Sequence, residues 1–245
     1  MTQVHLKAPD GTYGVAKAYQ NARKLFPLGK EPAVGVVTFG AGSLGARTIY
    51  GLVLEFSRER HGNSVQDVAQ ALHAFIKGHY DAAFGQAPLD QRPPLGFYIA
   101  GYSDRKALAE EWEFILPRAD TATKVRPDDA YGASWRGIDF PFTRLHFGFD
   151  PRMRLYLQQA GVSEEILAPI FGEKIFSSPV AFEGMPIQDA INFAVYVLRT
   201  TIGFTSFELG PPACGGPLQV AAITHESGFQ WVKEPKYRIE DDSNG

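Results

Sequence analysis

Apolar positions along the chain change their spacing several times, and each change marks an element. Residues 33–39, rich in valine and closed by Gly40, read as a buried strand. From Ser43, the residues Leu44, Ile49, Leu52, Val53 and Phe56 recur at helical spacing until His61-Gly62-Asn63 ends the run. Ser64 then predicts the N-cap of a second helix, with Asp67 in its first turn. Its apolar stripe is Val65, Val68, Leu72, Phe75 and Ile76. A proline-containing loop over 87–94 leads to a strand at 97–100. Its hairpin partner at 112–116 lies across the turn Ser103-Asp104-Arg105-Lys106, and residues 128–136 read as another short strand.

Helices are predicted over 150–159, 163–171 and 187–203, the last with Ile191, Ala194, Val195 and Leu198 on one face. Two closing strands, 218–224 and 229–232, flank the turn His225-Glu226-Ser227-Gly228. The first 22 residues are polar, with Pro9-Asp10-Gly11 as a turn signal, and the acidic tail 236–245 is expected to fray. Consecutive helices beside consecutive strands argue against strict β-α-β alternation and for an antiparallel α+β sandwich. One domain is expected over 1–235.

Composition narrows the function classes. With 24 Lys and Arg against 27 Asp and Glu, the net charge of −3 provides no general attraction to nucleic acid or an anionic membrane. No apolar run reaches the ~18 residues of a membrane span, and the start lacks a signal-peptide core. A single cysteine, Cys214, forms no internal disulfide and suits a reducing compartment. The expectation is a soluble, cytoplasmic protein. The six histidines show no metal-ligand spacing, and no cofactor or metal is expected.

The glycines after the first strand invite two enzymatic readings. Gly40-Ala41-Gly42-Ser43-Leu44-Gly45 fits G-x-G-x-x-G, but a dinucleotide site needs a helix leading into a second parallel strand, and here a second helix follows. Ala41-Gly42-Ser43-Leu44-Gly45 is one residue from a nucleophile elbow, yet His225 sits in a tight turn and no aspartate is placed to orient it. Small residues that let a strand turn sharply are the simpler explanation. The cluster Phe140, Phe142, Phe147 and Phe149 reads as packing for a core or a subunit contact.

Several segments in order resemble the proteasome-type branch of the Ntn-hydrolases, including bacterial proteasome-like proteins. Lys24-Leu25-Phe26-Pro27-Leu28 is similar to that family's lysine-bearing strand, and residues 34–42 to the next strand and its glycine turn. The paired helices follow, and Cys214-Gly215-Gly216-Pro217-Leu218-Gln219-Val220 resembles a Ser-Gly-Gly loop and the strand after it. The resemblance spans roughly residues 12–232.

It implies a four-layer αββα sandwich, self-association into rings, and hydrolysis of peptide or amide bonds by an N-terminal Thr, Ser or Cys whose own α-amine serves as base. Lys24 matches the lysine that eases deprotonation. Gly40, Ala41 and Gly42 match the turn whose N–H groups hold the oxyanion. Ser134 matches a serine near the nucleophile. Cys214 stands where a serine is common, and Pro211 and Pro212 replace an expected aspartate.

The resemblance places the nucleophile and a first aspartate in two short strands ahead of this chain, so the nucleophile is expected upstream, with Met1 an internal methionine. A second arrangement removes Met1 and exposes Thr2, only 22 positions before Lys24, which leaves too little chain for the usual hairpin. A third is a catalytically silent relative that assembles or binds partners.

Overall fold

The computed structural model describes residues 2–7, 13–103, 106–172, 179–210 and 212–236, the first two strands through their backbone. The chain divides into two units, Met1–Ala130 with Gly216–Gly245, and Tyr131–Gly215. Both α-helices and antiparallel sheets are present, so the class is α+β.

The first unit opens with a hairpin, β1 (Thr2–Lys7) against β2 (Tyr13–Tyr19), with Thr2 opposite Tyr19. Next come β3 (Leu25–Lys30), β4 (Ala33–Gly40), a small hairpin of β5 (Ser43–Leu44) and β6 (Arg47–Thr48), then α1 (Ile49–Phe56) and α2 (Val65–Phe84). Strands β7 (Leu95–Tyr102), β8 (Glu110–Leu116) and β9 (Thr123–Lys124) complete a five-stranded antiparallel sheet in the order β3-β4-β7-β8-β9. The second unit holds α3 (Phe140–Phe147), α4 (Arg152–Gln159), α5 (Glu164–Gly172) and α6 (Ile187–Thr205). The first unit ends in the hairpin β10 (Val220–Thr224) and β11 (Gly228–Lys233).

Period-2 alternation explains how this sheet is covered. Val34, Val36 and Thr38 of β4, Leu95, Phe97 and Ile99 of β7, and Trp112, Phe114 and Leu116 of β8 are all buried. They form one face, and its core is completed by Leu52, Val53 and Phe56 of α1 and Val65, Val68, Leu72 and Ile76 of α2. Helix α2 starts where the sequence predicts: the Ser64 hydroxyl accepts from the Asp67 N–H while the Asp67 carboxylate accepts from the Ser64 N–H, a complete capping box. On the opposite face of β4, a Cβ at Gly35 would lie only 3.0 Å from the Phe229 ring and 3.1 Å from Ile223. Glycine there lets the β10–β11 hairpin lie close against the sheet, so this unit stacks helices, sheet and hairpin.

Three expectations are corrected, and one helix appears where none was predicted. The helix after the glycines begins at Ile49, not Ser43. The Gly42 carbonyl accepts from the Ile49 N–H at 3.0 Å, and Thr48 caps α1 by accepting from the Gly51 N–H at 3.1 Å, so Ser43 to Thr48 folds as a hairpin through Gly45 at φ +58°. The stretch 128–136 is irregular, the edge strand being Thr123–Lys124. The aromatic cluster lies largely on a helix, α3, with Pro141 in its first turn where the missing N–H does no harm. Finally, the polar start does contain a hairpin ahead of Lys24, which removes the objection that too little chain is available there. The turn Pro9-Asp10-Gly11 and the tail from residue 237 lie outside the described residues. Among the described residues, no helix is long and apolar enough to cross a membrane.

Candidate functional site

Lys24 immediately precedes β3. Its carbonyl accepts from the Thr38 N–H at 2.9 Å, which extends the β3–β4 ladder by one pair and sets Lys24 opposite Thr38. The backbone here is held from a distance by one side chain, that of Gln219 at the entry to β10. Its Oε1 accepts from the N–H groups of Lys24 at 2.9 Å and Leu25 at 3.1 Å, and its Nε2 donates to the Ala22 carbonyl at 2.8 Å. Three bonds from a planar amide leave this segment little freedom. Just upstream, Gly216 has φ +87°, and any Cβ there would collide with the Gln20 carbonyl.

The Lys24 ammonium reaches the Gly40 carbonyl, with Nζ 3.5 Å from the oxygen. The side chain is half-buried, and burial pulls its pKa below the ordinary value of 10.5. Among the described residues no carboxylate pairs with it. The neighbouring cation behaves differently: Arg23 donates to the Pro235 carbonyl at 3.2 Å and lies 3.5 Å from the Glu234 carboxylate. Its guanidinium also lies 5.5 Å from the centre of the Tyr50 ring and 5.7 Å from that of Trp231. Adjacent basic residues are thus sorted, one paired and one left to a carbonyl.

The turn beyond β4 is built tightly. Gly40 has φ +83°, and a Cβ there would clash with the Pro94 carbonyl, so glycine is required. The Ala41 N–H donates to that same carbonyl at 2.9 Å. The Gly42 N–H donates to no acceptor among the described residues. Of the expected oxyanion donors, Ala41 is therefore already engaged and Gly42 is available.

Within the first unit, the structure brings together Lys24, Gly40, Ala41 and Gly42. Thr2 opens β1, and its partner Tyr19 lies five residues before Lys24. Ser134 belongs to the second unit, half-buried on the irregular stretch before α3. Beside it, the Trp135 indole N–H donates to the Thr143 hydroxyl at 2.7 Å. Cys214, also in the second unit, is a half-buried free cysteine whose thiol is pushed up by burial, the reverse of what a nucleophile needs. Sequence reasoning missed Gln219 and Thr38. A glutamine at the entry to an apolar strand was the available signal for the first, and a lone threonine in a valine run for the second. Among the described residues, no three His, Cys, Asp or Glu side chains converge as metal ligands.

Compared with known proteins, the chain matches no family model, no curated protein and no solved structure.

Proposed function

We propose that the chain is a proteasome-like Ntn-hydrolase subunit that cleaves peptide or amide bonds through an N-terminal nucleophile. The observation that carries this reading is the Lys24 amine, half-buried, with no carboxylate partner among the described residues, and 3.5 Å from the Gly40 carbonyl that opens a glycine turn. In the proposed reaction the α-amine of the mature N-terminus takes the proton of the nucleophile's side chain. The nearby Lys24 cation favours the resulting anion, and the Gly42 N–H, unused among the described residues, helps hold the oxyanion of the tetrahedral intermediate. The nucleophile is the first residue of the mature chain: Thr2 where Met1 alone is removed, or a residue further upstream. The hairpin that begins at Thr2 and leads towards Lys24 supports Thr2.

The proposal includes a four-layer αββα sandwich, with β1–β2 and β10–β11 contributing to its second sheet. The bonds of Gln219 and the close approach of Gly216 to Gln20 support this, because they join the segment leaving β2 to the segment entering β10. It also includes assembly into rings of like subunits.

A catalytically silent, assembling subunit is favoured by a different observation: the Ala41 N–H is already bonded to Pro94, and among the described residues no carboxylate steadies Lys24. One experiment separates the two. Protein purified from its native source is weighed intact, incubated with fluorogenic peptides, and treated with a threonine-directed covalent inhibitor. Turnover that stops when a single adduct forms on the N-terminal residue supports the hydrolase. A free N-terminal threonine with neither turnover nor adduct overturns it.

A further inference from the structure

Thr38 is 3% exposed, yet its hydroxyl meets no hydrogen-bonding partner among the described residues. A buried hydroxyl left alone is destabilising, a penalty that the valines at Val34, Val36 and Val37 of the same strand do not carry. Its position is informative. Thr38 stands directly opposite Lys24, and opposed residues of an antiparallel ladder share a face with Cβ atoms roughly 4.5–5.5 Å apart. From there the lysine stem runs towards Gly40, two residues along β4, where the contact of 3.5 Å is long for a hydrogen bond.

The two protonation states of the amine ask for different partners. An ammonium has three donors and no acceptor. Although a hydroxyl oxygen can accept from one of them, here the amine reaches the Gly40 carbonyl and leaves Thr38 Oγ1 unused. A neutral amine has a lone pair that can in addition accept an O–H. We propose that the Thr38 hydroxyl is a second station for the Lys24 amine. The ammonium rests against the Gly40 carbonyl, and the neutral amine accepts from the Thr38 O–H. No covalent bond changes except N–H, the departing proton going to water. Thr38 is then a positioning residue that holds Lys24 in its neutral form.

Charged groups nearby do not compete for this role. Arg23 is occupied by Glu234, Pro235 and the rings of Tyr50 on α1 and Trp231 on β11, and burial is what displaces the Lys24 pKa. The hydrogen bond does not rest on the hydrolase reading, in which the other, cationic state of Lys24 favours the anion.

The test is the titration of the Lys24 side chain followed by NMR in the intact protein, with its resonances assigned by their loss in Lys24→Arg. Removing the hydroxyl in Thr38→Val withdraws support from the neutral amine, so the midpoint should rise by about one pH unit. Thr38→Ala, which also lacks the hydroxyl, should show the same rise, and Thr38→Ser should keep the wild-type midpoint. An unmoved or lowered midpoint in the folded Val or Ala variant, or an equal rise in Thr38→Ser, overturns the proposal. Peptide turnover is measured separately, so a protein that titrates as expected and hydrolyses nothing sinks the hydrolase reading and leaves the Thr38 bond standing.

Discussion

Helices α2 and α6 are nearly the same length, 20 and 19 residues, and both show an apolar stripe in the sequence, yet they fare oppositely. Helix α2 buries Val65, Val68, Ala69, Leu72, His73, Ile76 and Tyr80 against the sheet of the first unit. In α6 only Thr201 and Thr205 are buried, while Ile187 is 57% and Tyr196 50% exposed. Within its own unit α6 meets α3 edge-on, through Phe140 with Phe204 and Phe142 with Phe193 and Tyr196. The stripe of Ile191, Ala194, Val195 and Leu198 is at best half-covered. Periodicity says that a face is apolar; it does not say that a neighbour has the shape to cover it.

The sharpest way to break this contrast is truncation at matched positions. Leu72→Ala, in a site with no exposure, should cost about 2–5 kcal/mol in denaturant unfolding. Leu198→Ala, at a site 41% exposed, should cost about 1 kcal/mol or less. Equal losses would mean that α6 is covered as fully as α2.

A smaller effect is expected at the helix starts. Helix α6 enters through Pro186 with no side-chain cap, whereas α2 has its capping box, so Ser64→Ala should cost about 1 kcal/mol. The Ser64 hydrogen bond, with backbone N–H groups, holds the Asp67 carboxyl below its ordinary value of 3.8. A depressed carboxylate stabilises the fold above its unfolded value and loses that contribution as pH falls through the folded one. Unfolding measured between pH 5 and the acid limit, on the order of pH 2, should therefore be less steeply pH-dependent in Ser64→Ala than in wild type. An unchanged slope would detach Asp67 from the cap.

The smallest effect concerns Lys24. Its lowered value means that the folded chain releases this proton more readily than the unfolded chain, so between the folded pKa and 10.5 stability rises with pH. Below that window the full cost of burying the charge applies. Lys24→Met should thus be slightly more stable than wild type at neutral pH, and the gap should close as pH approaches 10.5. A methionine variant that is less stable at pH 7 would show that the ammonium is supported rather than tolerated.

Elements whose pattern is self-contained were legible from sequence: β4, β7, β8, the start of α2 and the β10–β11 turn all fall where alternation, caps and turn residues place them. The β5–β6 hairpin was not, because Leu44, Ile49 and Leu52 mimic helical spacing while the positive φ of Gly45 and the bond from Ile49 to Gly42 decide otherwise. Helix α3 hid behind its own aromatics. Lys24 and the glycine turn stand out through the resemblance that the stretch around them carries, since a lysine beside Arg23 reads on its own as a solvated charge. Gln219 could not, since its partners stand 194 to 197 positions away and nothing local announces the contact.

That separation also sets a clock. A ribosome adding roughly 5–20 residues per second needs about 10 to 40 seconds to travel from Lys24 to Gln219. Throughout that interval the segment around Lys24 lacks the amide that grips its backbone, and β4 lacks the hairpin that covers Gly35. The nascent chain can assemble α1, α2 and the strands between Leu25 and Lys124 early, but the lysine acquires its final setting only when the last hairpin emerges. Maturation of this segment is in this way tied to the emergence of Gln219 and the hairpin that follows it.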